Sequence, residues 1–309
     1  MKPPKLLGVL ALAGLLVTAA TAATTPVPVK ASPRNEGTPA ASDVYFSWAK
    51  SRRGHPHVYD VWAEQQGQPA FKVNAPKTRG WSGGIDGTRL VYQQVKNGNS
   101  DIRMFDLVTH RRSNIPGVNT KRWEWRPSIS GDWLLYGRGT VFSGSTQSVI
   151  LRNLVTGEVR VVDSLRSRRG FLQAGQVAGN YAVWSKCNPA PTCNILRYDI
   201  TARTVTAMPT TGQVLYAPSV TAAGTTYYGR SGPECGESAE LVKTTLAGAT
   251  AILYAFPSGQ DFSVTYAASL VSLPPPQLTS TRIYYDRISC STSRLDIYSV
   301  DEFEGGPPP

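Results

Sequence analysis

Histidine and cysteine are scarce in this chain, which limits the chemistry open to it. Its 309 residues include three histidines and four cysteines. Transition metals are held mainly by these two residue types, so the composition argues against a multi-metal centre. Acidic residues are also few, 21 against 32 lysines and arginines, and the formal net charge is +11. This excess of positive charge suits an anionic partner, but it does not indicate a fold.

Long apolar runs are absent after the N-terminus. Leu6–Val17 is apolar, follows Lys2 and Lys5, and leads into small residues with an A-x-A cleavage site that ends at Ala22. These are the three parts of a secretory signal, and the run is too short for a committed membrane span. We therefore predict that residues 1–23 are a signal peptide cleaved near Ala22. We expect the mature protein in the extracellular or cell-envelope space, with no membrane span.

The composition leaves little room for long helices. With 28 glycines, 23 prolines and 14 tyrosines, the chain is typical of a mostly β protein. A short apolar-aromatic strand recurs six times, at intervals of 46, 44, 48, 44 and 57 residues between its aromatic members. These aligned aromatics are Phe46, Tyr92, Tyr136, Trp184, Tyr228 and Tyr285.

Further short strands precede and follow each aromatic strand. Each unit therefore holds roughly four strands in about 46 residues, the length of a propeller blade. A single sheet cannot bury both of its faces, whereas a ring of radial sheets buries each face against a neighbour. The repeats predict an all-β, six-bladed β-propeller over residues 43–304, with four antiparallel strands per blade.

The repeat also resembles a known family. The segments PSISGDWLLYGR (127–138) and VILRNLVTGE (149–158) are similar to the repeat of TolB-like six-bladed propellers, and residues 83–110 hold a second good copy. The resemblance covers all six units and implies a platform that binds partners. Blade 1 departs from the pattern because it lacks an evident innermost strand. Blade 6 departs from it by about ten extra residues within 263–280.

The two chain ends are rich in proline. Residues 24–42 have no core periodicity, so we interpret them as a flexible leader. An alternative is that Thr25–Lys30 closes the ring as the outermost strand of blade 6, where prolines are tolerated because the strand lies at an edge. The tail at 305–309 is too short to supply that strand itself.

The even number of cysteines in a chain predicted to be exported indicates disulfides. Cys187 and Cys193 flank the turn between the second and third strands of blade 4. Cys235 and Cys290 occupy the corresponding turns of the adjacent blades 5 and 6. We predict the pairs Cys187–Cys193 and Cys235–Cys290.

Basic residues fall at preferred places in the repeat. In a four-stranded blade, the turns between strands 2 and 3 share one face with the connections from strand 4 to the next blade. One basic residue ends each second strand, which is common in TolB-like repeats and is expected to be structural. Additional basic clusters lie on the same face, and aromatics recur where the connections lead into new blades, at Trp81, Trp125, Phe171, Tyr216 and Phe262. The candidate binding residues are Arg52, Arg53, Lys77, Arg79, Trp81, Lys121, Arg122, Trp125, Arg166, Arg168 and Arg169.

Carboxylates are missing where a propeller enzyme acting on sugars would place them. The innermost strands SGGI, PSIS, GQVA and PSVT contain no Asp or Glu, although acid and base must converge near the channel. Glu124 and Asp261 lie in blades that are not neighbours. His55 and His57 share one turn, while His110 is on the opposite face. We therefore assign no catalytic residue, metal or cofactor.

Taken together, these patterns favour a non-catalytic binding module. The expected partner is an acidic protein or an anionic envelope polymer, held by the basic face. Nucleic acid is not expected because the protein is exported, and a monomer is expected. The alternative is a carbohydrate-active enzyme, a polysaccharide lyase or glycoside hydrolase, that works at the channel mouth.

Overall fold

A computed structural model describes residues 22–23, 25–140, 146–190, 192–210, 212–232, 234–262, 269–273 and 280–303. The predicted signal peptide up to residue 21, much of the extra segment at 263–280 and the tail at 305–309 lie outside these residues. Within the described part, no helix is long and apolar enough to cross a membrane.

The described strands form six antiparallel sheets, which confirms the prediction of an all-β, six-bladed propeller with four strands per blade. Blade 1 contains β3 (Glu36–Ala41), β4 (Tyr45–Arg52), β5 (His55–Gln65) and β6 (Phe71–Lys72). Blade 2 contains β7 (Arg79–Asp86), β8 (Arg89–Lys96), β9 (Asn99–Asp106) and β10 (Arg112–Asn114). Blade 3 contains β11 (Trp123–Ser130), β12 (Trp133–Gly139), β13 (Gln147–Asn153) and β14 (Val159–Leu165).

The other three blades continue the same order. Blade 4 contains β15 (Phe171–Ala178), β16 (Tyr181–Cys187), β17 (Cys193–Asp199) and β18 (Thr204–Ala207). Blade 5 contains β19 (Val214–Val220), β20 (Thr226–Ser231), β21 (Glu240–Thr244) and β22 (Thr250–Ala255). Blade 6 contains β23 (Gln260–Phe262), β24 (Ser269–Leu273), β25 (Ser280–Ser289) and β26 (Leu295–Phe303), with β1 (Ala22–Ala23) and β2 (Val27–Lys30) at its outer edge.

The first strand of each blade lies next to the central axis, because these strands contact one another around the ring. Each of β3, β7, β11, β15 and β19 is interrupted by a bulge. In blade 2 the bulge contains Gly83, where an added Cβ would collide with the carbonyl oxygen of Pro127 in blade 3. The blades thus converge so closely at the axis that the bulge requires glycine there. In blade 6 the extra segment separates β23 from β24, and both strands pair with β25.

Most of the core consists of apolar side chains packed between neighbouring blades. The repeated aromatic of the second strand is buried in blades 2 to 6, as the sequence repeat predicts. In blade 1 the strand register assigns this place to Trp48, which is 4% exposed, whereas the expected Phe46 is half-buried. The alignment in blade 1 was therefore two residues out of register.

Blade 1 has an innermost strand, although its sequence does not resemble one. Strand β3 has the sequence EGTPAA, lies within the segment interpreted as a flexible leader, and is buried along its whole length. The backbone N–H of Thr38 donates to Asp286 of blade 6, and the Thr38 hydroxyl accepts from the backbone N–H of Ser82 in blade 2. The neighbouring blades therefore hold this strand in place, and its small residues suit the crowded axis.

The ring is closed by the N-terminal strand β2, as the alternative interpretation of Thr25–Lys30 requires. Val27 pairs with Ser299 of β26, in antiparallel register. Lys30 anchors the strand because its Nζ lies 2.8 Å from Glu64 and 4.4 Å from the ring centre of Trp48, both in blade 1. Blade 6 is therefore built from both ends of the chain, a common way to close such a ring.

A buried carboxylate joins blade 6 to blade 1 beside this closure. Asp286 is fully buried on β25, and its Oδ2 accepts a 3.0 Å hydrogen bond from the backbone N–H of Thr38. Its Oδ1 has no hydrogen-bond partner among the described atoms. Burial raises the pKa of Asp286 to about 7, against smaller opposing effects of the Thr38 bond and the charge of Arg126.

Both predicted disulfides are present. Cys187–Cys193 spans the turn between β16 and β17, where the two residues are direct partners in the ladder. Cys235–Cys290 joins the loops of blades 5 and 6. The described residues contain no free cysteine.

Candidate functional site

The candidate residues cluster on what we call the upper face, formed by the turns between strands 2 and 3 and by the connections between blades. Arg53 lies in the turn between β4 and β5. Lys77 lies in the connection to β7, Lys121 and Arg122 lie in the connection to β11, and 166–170 connects blade 3 to blade 4. The alternating strand directions of each sheet place all of these segments at the same end of the ring.

Exposure and pairing distinguish the candidate basic residues from the structural ones. Arg52 is a structural residue, because its guanidinium makes hydrogen bonds of 3.0 and 2.6 Å to Asp60 and another of 2.6 Å to the carbonyl of Thr78. The other eight are exposed, and none forms an ion pair within the described part of the chain; they are Arg53, Lys77, Arg79, Lys121, Arg122, Arg166, Arg168 and Arg169.

The basic residues that end the second strands are mostly engaged inside the protein. Four of them form ion pairs, Lys50 with Glu36 at 2.7 Å, Arg138 with Glu124 at 2.9 Å, Lys186 with Asp163 at 2.8 Å and Arg230 with Glu240 at 2.5 Å. In blade 6, the guanidinium of Arg287 lies 3.4 Å from the ring centre of Tyr298. In blade 2, Gln94 takes the equivalent place, and the expected Lys96 is exposed two residues further on.

The aromatic candidates divide between the surface and the core. Trp81 and Phe171 are half-buried at the beginning of blades 2 and 4. Trp125 is only 1% exposed because its indole packs over Gly137, where any Cβ would collide with it. It is therefore a core residue, not a surface residue as the repeat spacing suggested.

Sequence reasoning missed Trp123, which is half-buried and precedes Trp125 by two residues. The strand register makes Trp123 equivalent to Phe171, since Trp123 pairs with Gly139 and Phe171 pairs with Cys187. The available clue was that Trp123 and Trp125 are two residues apart on one strand. Their side chains therefore point to the same side of the sheet, but one of them lies nearer the surface than the other. Register alone tells which of them is at the surface.

The positive charge does not extend around the whole upper face. The connections at 208–213 and 256–259, which lead into blades 5 and 6, contain no lysine or arginine. The loop between β20 and β21 carries the exposed acids Glu234 and Glu237. The upper face is thus basic over blades 1 to 4 and acidic at blade 5.

The acidic residues near the strand starts have structural partners. Glu124 accepts from the Thr120 hydroxyl at 2.7 Å as well as from Arg138, and burial outweighs these partners in raising its pKa. Asp261 accepts from the Tyr216 hydroxyl at 2.5 Å and from the backbone N–H of Gly236 at 3.1 Å. Both carboxylates are buried and engaged with these partners.

The histidines and the channel offer little to a metal. His55 and His57 are exposed, and the ring of His110 stacks on Phe71 at 4.2 Å. Among the described residues, no three His, Cys, Asp or Glu side chains are grouped to hold a metal ion. Ser128 and Gln176 line both a small pocket beside Trp81 and a second cavity of about 210 Å³.

These features define the class of protein. It is a six-bladed β-propeller with a closed ring, two disulfides and an upper face that is basic over four blades. No model of a known protein family matches the chain, and no curated protein matches its sequence.

Solved structures with a similar fold provide a comparison. TolB from Acinetobacter baumannii is 14% identical with a TM-score of 0.58, and the match covers 84% of this chain and 64% of that one. A putative TolB from Agrobacterium tumefaciens is 11% identical with a TM-score of 0.56, over 88% and 92% of the two chains. Oligogalacturonate lyase from Vibrio parahaemolyticus is 11% identical with a TM-score of 0.54, over 87% and 90%.

At these identities the likeness concerns the fold. The chain spans 64% of the length of the Acinetobacter TolB, less than two thirds. The similar folds include both TolB proteins and an enzyme. Function in such a fold depends on the residues of the site.

Proposed function

We propose that this protein is a non-catalytic binding module that acts outside the cytoplasm and engages an anionic partner through the basic part of its upper face. The eight candidate basic residues, which are exposed and lack an ion pair among the described residues, carry this proposal. Protein carboxylates neutralise the basic residues that end most second strands, so the eight are not a by-product of the repeat.

Electrostatics support a role in attracting the partner. A surface lined by charges of one sign raises the local concentration of counter-ligands and speeds their association. The half-buried rings of Trp81, Trp123 and Phe171 lie beside these charges and add apolar contact. The N-terminal signal pattern and the two disulfides support a location outside the cytoplasm.

The test removes charge from one place on the upper face. The variant R166A/R168A/R169A changes three exposed arginines in the connection between blades 3 and 4. The control R111A/R203A removes exposed charge from turns between strands 3 and 4, on the opposite face. Immobilised proteins are compared for partners captured from cell-envelope extract at about 50 mM and 500 mM salt.

The proposal predicts that the triple variant loses most of the captured material while the control retains it. High salt should also release the partner from the wild-type protein, because the charges are exposed and screened. Capture that is insensitive to salt and equal in all three proteins would contradict the proposal.

A further inference from the structure

The basic part of the upper face contains a motif that repeats three times. Each copy consists of a basic cluster followed within two residues by an aromatic, which we call a basic–aromatic unit. Unit 1 is KTRGW (77–81), unit 2 is KRW (121–123) and unit 3 is RSRRGF (166–171). Each unit leads from the outermost strand of one blade into the innermost strand of the next.

The three units lie in corresponding connections between blades, although the strand register places Trp81 two residues further into its strand than Trp123 and Phe171. They lead into blades 2, 3 and 4, which are consecutive in the ring. Their basic side chains are exposed, and their aromatic rings are half-buried. In blade 5, the place of Trp123 and Phe171 is taken by Val214, and no basic cluster precedes it. The units therefore form a continuous run over the entries to blades 2, 3 and 4, and blade 5 has no such unit.

The aromatic members are not required by the core. Trp125 and Tyr216, which pack inside blades 3 and 5, are 1% and 2% exposed. Trp81, at the equivalent place in blade 2, stands opposite Gln93 instead of a glycine and remains half-buried, 6.1 Å from the ring of Tyr59. The repeat thus already has buried rings, and the units present additional ones at the surface.

A surface that repeats the same chemistry in three steps fits a ligand that also repeats. The basic clusters require an anionic group at each step, and the aromatic rings require an apolar face beside it. Sugar rings offer such a face through their C–H groups, and uronic acids carry a carboxylate on the same ring. Guanidinium and ammonium groups bind carboxylates by charge-assisted hydrogen bonds.

We propose that the upper face binds a linear acidic polysaccharide along units 1 to 3. This inference rests on the proposed function and specifies the chemical class of its partner. The acids Glu234 and Glu237 of blade 5 repel a further anionic residue, so the bound stretch ends there. A polypeptide of acidic residues shares the charge of this ligand but lacks its apolar ring faces, so the aromatic rings distinguish the two.

The experiment measures binding of two polyanions to the full mature chain. Alginate represents a linear uronate polymer, and poly-glutamate of similar length represents an acidic polypeptide. Titrations compare the wild-type protein with W123L, F171L and R166A/R168A/R169A. Leucine keeps an apolar side chain but removes the flat ring. V214L is the matched control, because Val214 has the equivalent strand position in blade 5. Circular dichroism confirms that each variant is folded.

The inference predicts that W123L and F171L each weaken alginate binding about tenfold and change poly-glutamate binding less than twofold. The triple arginine variant should weaken both polymers, and V214L should change neither. Equal losses for both polymers in W123L and F171L, or binding of poly-glutamate without alginate, would overturn this inference and leave the proposed function standing. Failure of both polymers to bind the wild-type protein would overturn both.

Discussion

Replacement of Asp286 by asparagine tests how the buried carboxyl between blades 6 and 1 affects stability. Asparagine has nearly the same shape, and its Oδ1 can still accept the hydrogen bond from the Thr38 backbone. It removes the titration of a fully buried carboxyl, and the NH2 group that it introduces changes stability by an amount that does not depend on pH. The prediction therefore concerns how the free energy of unfolding varies with pH.

The magnitude follows from the raised pKa of Asp286. Its value of about 7 lies about three units above the ordinary 3.8, and 1.36 kcal/mol per unit gives about 4 kcal/mol. The folded state holds the proton more tightly than the unfolded chain does. The contribution of Asp286 to the free energy of unfolding is therefore complete below pH 4 and is lost as the pH rises through 7. Other groups titrate as well, so only the difference between variants isolates this one.

Urea denaturation of the wild-type protein and of D286N at pH 4, 5, 6, 7 and 8 provides the measurement. Stability of D286N relative to wild type should rise by about 1.4 kcal/mol per pH unit up to pH 7, and then level off. The exposed control D132N should show no such trend. A difference between D286N and wild type that stays constant across this range would refute the reasoning. Arg126 and Tyr59 act electrostatically on the same carboxyl and stay in place in every variant.

Two further predictions concern the disulfides and the closure of the ring. Removal of Cys235–Cys290, which are 55 residues apart, should cost about 4 kcal/mol by loop entropy, and removal of Cys187–Cys193, which are 6 apart, about 2 kcal/mol. Denaturation of the double-alanine variants tests this order, and a larger loss for the short loop would contradict it. Deletion of residues 25–30 should expose the edge of β26 and speed hydrogen exchange of its amides, with β9 of blade 2 unchanged as an internal control. Unchanged exchange in β26 would show that β2 does not protect it.

The repeat could be identified from the sequence because blade packing imposes the same pattern on each unit. Tyr92, Tyr136 and Tyr228 recur since each fills the space between two blades, and that space has the same shape around the ring. The cysteine pairs could also be predicted, because the repeat places them in facing or adjacent turns. These features depend on order along the chain and on local spacing.

Other features of the candidate site depend on register and neighbours. Trp125 was predicted to lie at the surface and Trp123 was not selected, because only the strand register separates the surface ring from the ring two residues further on that packs over Gly137. Arg52 was predicted to be part of the binding surface. Its partner Asp60 lies on the next strand, β5, so the sequence around Arg52 does not reveal the ion pair. No local pattern reports such a cross-strand partner.

By itself, the sequence determined the class of fold, the number of blades and the cysteine pairing, because these follow from a pattern repeated about every 46 residues. Only the tertiary structure decided that EGTPAA forms the innermost strand of blade 1, and which basic residues remain exposed without an ion pair among the described residues. The physical reason is that both depend on groups distant in sequence. Asp286 and Ser82 hold Thr38 in place from the two neighbouring blades, and cross-strand carboxylates determine which positive charges are neutralised inside the protein.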